Sequence, residues 1–115
     1  HEEIRKLMGT KHKRIYSLSG TAVDLTHTHA LLHADPSVIA GKTGTTDGAK
    51  QCLISLVRFG GKEYLAVLLY SDRRYTDMQI ILSALKNMSG VSVTSGLPFS
   101  GSGKVSVSAT GCTLF

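Results

Sequence analysis

Two nearly uninterrupted apolar runs, Leu53 to Phe59 and Tyr64 to Tyr70, are separated by Gly60-Gly61 and followed by a stripe of apolar residues at helical spacing. No other stretch restricts the possible folds so tightly. Runs this rich in Leu, Val and Ile are strands covered on both faces or placed centrally in a sheet, and a Gly pair tolerates the positive φ angles of a tight hairpin. Behind them Tyr75, Met78, Ile81, Leu82, Leu85 and Met88 share one helix face, with Asp72 or Thr76 available as N-cap and Gly90 as the stop. A hairpin with a core-facing helix is therefore expected, and 115 residues suffice to close one small core around it.

Upstream, Val38 to Thr43 supplies a further strand. It begins after Asp35-Pro36, because proline cannot donate to a ladder and drives the residue before it into an extended conformation. Glu2 and Glu3 precede Ile4, Leu7 and Met8, an apolar set at i, i+3, i+4 with acids at the positive end of the helix dipole. A short first helix with Gly9 as its stop is expected there. Between Thr10 and Asp35 the pattern weakens to a short strand around Ile15, Tyr16 and Leu18, a turn at Ser19-Gly20, and a buried anchor at Leu31-Leu32. Ser and Gly make up twelve of the 27 residues from Ser89 to Phe115, with Val-Ser alternation at Val91 to Val93 and Val105 to Ser108. That composition predicts a boundary near Asn87, residues 88–115 being a Ser/Gly-rich tail or a truncated β-rich segment. The overall expectation is a mixed α+β fold, antiparallel strands flanked by helices.

Lys42-Thr43-Gly44, continued by Thr45-Thr46-Asp47, is the stretch that carries chemistry. A peptide laid beside a strand edge is held by main-chain hydrogen bonds, and a residue without Cβ, Gly44, lets that backbone come close. Thr43 offers a hydroxyl to a carboxylate ending the peptide, and Lys42 adds a positive charge beside it. A nucleophile of the Ser-x-x-Lys kind occurs once, at Ser83-Ala84-Leu85-Lys86, after the Lys-Thr-Gly and near the end of the expected helix. A Ser-x-Asn does not occur, because Leu85 stands two residues before the single Asn, Asn87.

Glu2 to Thr10, Leu25 to Leu32 and Val38 to Lys86 together resemble the later part of the catalytic domain of D-alanyl-D-alanine carboxypeptidases. These are low-molecular-mass penicillin-binding proteins related to class A β-lactamases. The most specific stretch runs from Gly41-Lys42-Thr43-Gly44-Thr45-Thr46-Asp47 through Gly48-Ala49-Lys50-Gln51 to Cys52-Leu53, and Ile4 to Lys11 is similar to the family's helix before its own Ser-Thr-Lys. His27-Thr28-His29 departs from the pattern, standing where the family usually has Asn-Thr-Asn before its paired Leu. The resemblance implies the C-terminal portion of a β-lactamase/transpeptidase-like fold and a serine-type removal of the terminal D-Ala from peptidoglycan pentapeptide through an acyl-enzyme. It also implies β-lactam antibiotics as ligands and an extracytoplasmic location. Lys42, Thr43 and Gly44 would bind substrate and the backbone N–H of Thr45 would be one oxyanion donor. Arg73 or Arg74 would add a second carboxylate contact or stay solvated. The family's nucleophile comes earlier in the chain and opens a helix, which sets Ser83 aside, so the nucleophilic half is not in this chain. Carboxypeptidase, endopeptidase, transpeptidase and β-lactamase share the triplet, and the Thr45-Thr46-Asp47 turn favours the first. The start on His1 in place of Met suggests a piece of something longer, and membrane anchoring is not visible in this segment.

Other chemistries fit less well. The net charge of +5 and pI near 9.4 invite a nucleic-acid partner, yet five of thirteen basic residues fall before residue 15 without interleaved aromatics, so no nucleic acid is expected. Gly41-Lys42-Thr43 ends like a phosphate loop, but Pro36 stands where that loop needs its first Gly. His27, His29 and His33 could converge on a metal only without a completing Cys or acid, so no metal and no cofactor are expected and exposed loop histidines are the simpler expectation. Cys52 and Cys112 have neither metal-knuckle nor redox spacing, and Cys52 falls in a strand expected to be buried. A non-catalytic strand-edge binding module remains the alternative class, because no acyl-enzyme forms without a nucleophile.

Overall fold

The computed structural model of the chain describes residues 1–87 and the backbone of residues 104–109. The architecture is α+β. Along the chain run α1 (Glu2–Gly9), β1 (His12–Tyr16), β2 (Ala22–Thr26), α2 (Ala30–Ala34), β3 (Val38–Thr46), β4 (Lys50–Phe59), β5 (Lys62–Ser71), α3 (Arg74–Asn87) and β6 (Lys104–Ala109). β3, β4, β5 and β6 form one antiparallel sheet in that order, and β1 and β2 form a separate two-stranded hairpin.

The two apolar runs are the inner strands of the larger sheet. Gly60 and Gly61 join them with φ of 54° and 76°, so Phe59 pairs with Lys62 across a two-residue turn that a side chain would strain. Leu53 faces Leu68, Ser55 faces Ala66 and Val57 faces Tyr64 across the ladder. This face is buried against α2 and α3, where Leu31, Leu32, Met78, Ile81 and Leu82 complete the core. The opposite face, with Ile54, Leu56, Leu65 and Val67, is only half-buried. The expected cover on both faces is thus a central place with one closed face.

α3 begins differently from the expectation of an Asp72 or Thr76 cap. The Ser71 hydroxyl accepts the Arg73 N–H at 2.9 Å and donates to the Asp77 carboxylate at 2.6 Å, while Asp72 pairs with Lys50 at 3.0 Å. A buried serine at the strand end satisfies the N–H just ahead of the helix and holds a first-turn carboxylate, without the exposed Asp72. Met88, Gly90, the alternation at Val91 to Val93 and Cys112 lie outside the described residues.

α1 forms where the acids and apolar set place it, but its apolar residues Ile4 and Leu7 face solvent. Gly9 is its last residue, and a Cβ there would stand 2.7 Å from the Ile39 carbonyl oxygen. Close approach to β3 is the reason for this glycine. Arg5 fastens the helix to the sheet through Glu63, donating at 2.9 Å, and Arg58 reaches the same carboxylate at 2.6 Å. These two guanidinium bonds hold the Glu63 carboxyl down to about 2, below the usual carboxylate range.

Candidate functional site

β3 is longer than the pattern of Val38 to Thr43 indicates. It carries Lys42, Thr43, Gly44, Thr45 and Thr46 in one extended strand, Thr45 and Thr46 pairing with Gln51 and Lys50 of β4. The expected Thr45-Thr46-Asp47 turn is therefore displaced to Asp47-Gly48-Ala49, since β-branched threonines suit a ladder and the small polar residues after them suit a turn. Lys50 closes that turn at φ 52°, and its ammonium is held by Asp72 at 3.0 Å and by the Tyr70 ring at 4.6 Å.

Among the described residues β3 has one neighbour in its sheet, β4, and so forms an edge of it. Its two halves have different surroundings: Val38, Ala40 and Gly41 are buried, whereas Lys42, Gly44, Thr45 and Thr46 are exposed. An edge strand leaves alternate N–H and C=O groups open to an incoming extended chain. At Gly44 an added Cβ would make only ordinary contact, 3.8 Å from Cys52 Cβ. Lys42 turns its ammonium onto the Thr43 carbonyl at 2.5 Å and forms no ion pair among the described residues.

Arg74, the first residue of α3, is the feature that sequence reasoning left undecided. Its guanidinium donates to the Gly44 carbonyl at 3.0 Å, the Cys52 carbonyl at 3.3 Å, the Thr45 hydroxyl at 2.6 Å and the Gln51 side-chain oxygen at 3.2 Å. The fork therefore spans the β3–β4 pair where Lys-Thr-Gly ends and ties the two strands together. Arg73 beside it is exposed. Nothing in the spacing of Arg73-Arg74 distinguishes these two fates. The helix start after Ser71 aims the second arginine back at the sheet.

The segment from His27 to Ala30 lines the other side of Thr43. The Thr28 and Thr43 hydroxyls are 2.8 Å apart, and when Thr28 donates, Thr43 keeps its own proton for a guest. Tyr75 holds this segment, its phenol donating to the Thr28 carbonyl at 2.8 Å and accepting the Ala30 N–H at 3.3 Å. His29 is fully buried, not an exposed loop histidine. Paired leucines after it enter α2 and the core, and they carry the ring inward. His33 stays exposed, Nε2 at 2.9 Å from the His27 carbonyl. Burial, with the nearby charges of His33 and Lys42, lowers the His27 pKa. Among the described residues no three His, Cys, Asp or Glu side chains group as metal ligands.

Ser83 is exposed near the end of α3, and the Lys86 ammonium lies 3.1 Å from Asp35 and 5.4 Å from the Phe59 ring. Cys52 is a half-buried free thiol whose sulfur donates to the Ala49 carbonyl at 3.4 Å. Compared with family models, curated proteins and solved structures, the chain matches none.

Proposed function

We propose that this chain is the Lys-Thr-Gly half of a serine-type D-Ala-D-Ala carboxypeptidase, acting on peptidoglycan stem peptides and binding β-lactams at the same place. The observation that carries the reading is the edge position, among the described residues, of Lys42 to Thr46, exposed except for the half-buried Thr43, on a strand whose other half packs into the core. A stem peptide ending in D-Ala-D-Ala would extend along β3, its backbone approaching over Gly44. The Thr43 hydroxyl, accepting from Thr28, would donate to the terminal carboxylate, and the Lys42 ammonium would supply its counter-charge.

The chemistry needs a serine from the half that this chain does not carry. That serine's oxygen would attack the carbonyl of the penultimate D-Ala, the carbonyl oxygen taking negative charge beside the N–H of Thr45. The C–N bond would then break and the departing D-Ala nitrogen would take a proton. Water would release the acyl group from the serine by the reverse path. Arg74 keeps the strand end at Gly44 and Thr45 in place while this happens. Losing one oxyanion donor costs on the order of a hundredfold to a thousandfold in turnover.

A second reading is a strand-edge peptide-binding unit without catalysis, favoured for the isolated chain because the Lys86 of its Ser-x-x-Lys is engaged with Asp35. Labelling with a fluorescent penicillin separates the two. A longer protein in which these residues follow a Ser-x-x-Lys helix and a Ser-x-Asn should be tagged covalently, and the 115-residue chain should not. No tag on the longer protein would refute the carboxypeptidase, and a tag on Ser83 would refute the placement of the nucleophile elsewhere.

A further inference from the structure

Thr43 can present its hydroxyl to a guest only if something sets its height on the sheet, and the cross-strand pair beside it holds an unusual filling. Gly41 faces Ser55 across the β3–β4 ladder. Without a side chain on Gly41 the sheet has a slot there, and the His29 imidazole occupies it. A Cβ on Gly41 would overlap the ring and stand 2.6 Å from the Ile54 carbonyl oxygen. The ring is 0% exposed and its Nε2 lies 2.8 Å from the Ser55 hydroxyl. Its Nδ1 is buried with no hydrogen-bond partner among the described residues. The neutral tautomer protonated on Nε2 donates to Ser55 and leaves only a lone pair unpaired, the less costly of the two arrangements.

The neighbouring residue turns this packing into a site property. Thr28 precedes His29 and meets Thr43, two residues beyond Gly41 on the same face of β3. We propose that His29 is a positioning residue for the Lys-Thr-Gly strand: its neutral imidazole fills the Gly41–Ser55 slot and so sets where the Thr28 hydroxyl meets Thr43. This rests on the reading of β3 as the substrate strand only for its consequence in turnover. The positioning itself is a property of the described residues.

Burial, followed by the charge of His27, pushes the His29 pKa down to about 4. The groups around the ring are His27, with ring centroids 6.4 Å apart, Tyr75 at 6.1 Å, Ser55 beneath it and the charge of His33 farther off. None is a carboxylate. A protonated His29 therefore meets no counter-ion in the slot, and acid should expel it and release Thr28 from Thr43.

The test is NMR of the 115-residue chain between pH 7.5 and the acid limit of folding, without substrate or penicillin. The His29 ring carbons should titrate well below the ordinary histidine range, and the Gly41 and Thr43 amides should move with the same midpoint. His29→Asn, which keeps a donor for Ser55, should abolish that titration while holding the Thr43 amide near its neutral-pH position. His29→Ala should speed amide exchange at Gly41 and Thr43 by about tenfold or more relative to Leu53 and Leu68. Should the alanine variant fail to fold, the asparagine variant decides the matter. Gly41 and Thr43 amides that still titrate in His29→Asn, or that never follow His29 in the unsubstituted chain, overturn the proposal. Failure of penicillin labelling would leave this result standing, and the converse also holds.

Discussion

The two halves of β3 are built from the same strand geometry and do opposite things. Val38, Ala40 and Gly41 are buried, a wall of the core with His29 pressed on the glycine; from Lys42 to Thr46 all but the half-buried Thr43 are exposed, and Arg74 grips the strand there from one side. The contrast teaches how an exposed strand end can be kept ordered. Rigidity is imposed upstream by packing and downstream by a guanidinium fork, with Lys42 and Thr43 between them.

The glycines sharpen that contrast first. Gly41→Ala should produce the largest effect, about 3 kcal/mol or more of lost stability, because its methyl meets a ring and a backbone carbonyl that cannot both move. Urea unfolding monitored by circular dichroism would show it, and an unchanged midpoint would mean that the His29 slot is loose. Next in size is the acid response of the unsubstituted chain. The His29 pKa is lower folded than unfolded, so the unfolded chain binds the extra proton. The His29 contribution to stability is complete above the unfolded value near 6.5 and is lost as pH falls toward about 4, at roughly 1.4 kcal/mol for each unit of depression. In His29→Asn this slope between pH 6.5 and 4 should flatten, which denaturant midpoints at several pH values would measure.

Much of this arrangement could be read from the residue order, and the parts that could not share a cause. The Gly60-Gly61 hairpin, the stripe from Tyr75 to Leu85 and the anchor at Leu31-Leu32 are local periodicities, and the structure contains each of them. β2 escaped because Ala22 to Thr26 belongs to a hairpin exposed on both faces, held by Arg14 on Asp24 at 2.6 and 2.8 Å, with no core to impose a pattern. The extension of β3 through Thr46 depends on the register with β4, and the burial of His29 depends on a missing side chain twelve residues away. Such facts arise from tertiary contact and leave no periodic signal. The triplet itself was legible; the clamp that holds it was not, since Arg73 and Arg74 are chemically identical and only the helix start separates them.

Smaller effects probe the exposed half. Arg74→Gln removes the fork and should cost about 1 kcal/mol, with faster amide exchange confined to Gly44, Thr45 and their partners on β4. A global acceleration would instead make Arg74 part of the core. Gly44→Ala should be the mildest for the fold, within about 0.5 kcal/mol, since its methyl finds ordinary contact distance. The same methyl stands where a guest backbone must approach, so binding should suffer where stability does not. Equal destabilisation by Gly41→Ala and Gly44→Ala would erase the distinction between the two halves.

A titration of the isotopically labelled chain with a short acylated peptide ending in D-Ala-D-Ala, followed by amide chemical shifts, addresses the edge directly. Saturable shifts centred on Lys42 to Thr46 are expected, absent with the L-Ala-L-Ala peptide and lost in Gly44→Ala. Shifts that ignore these residues, or that are the same for both peptides, would contradict binding at this edge.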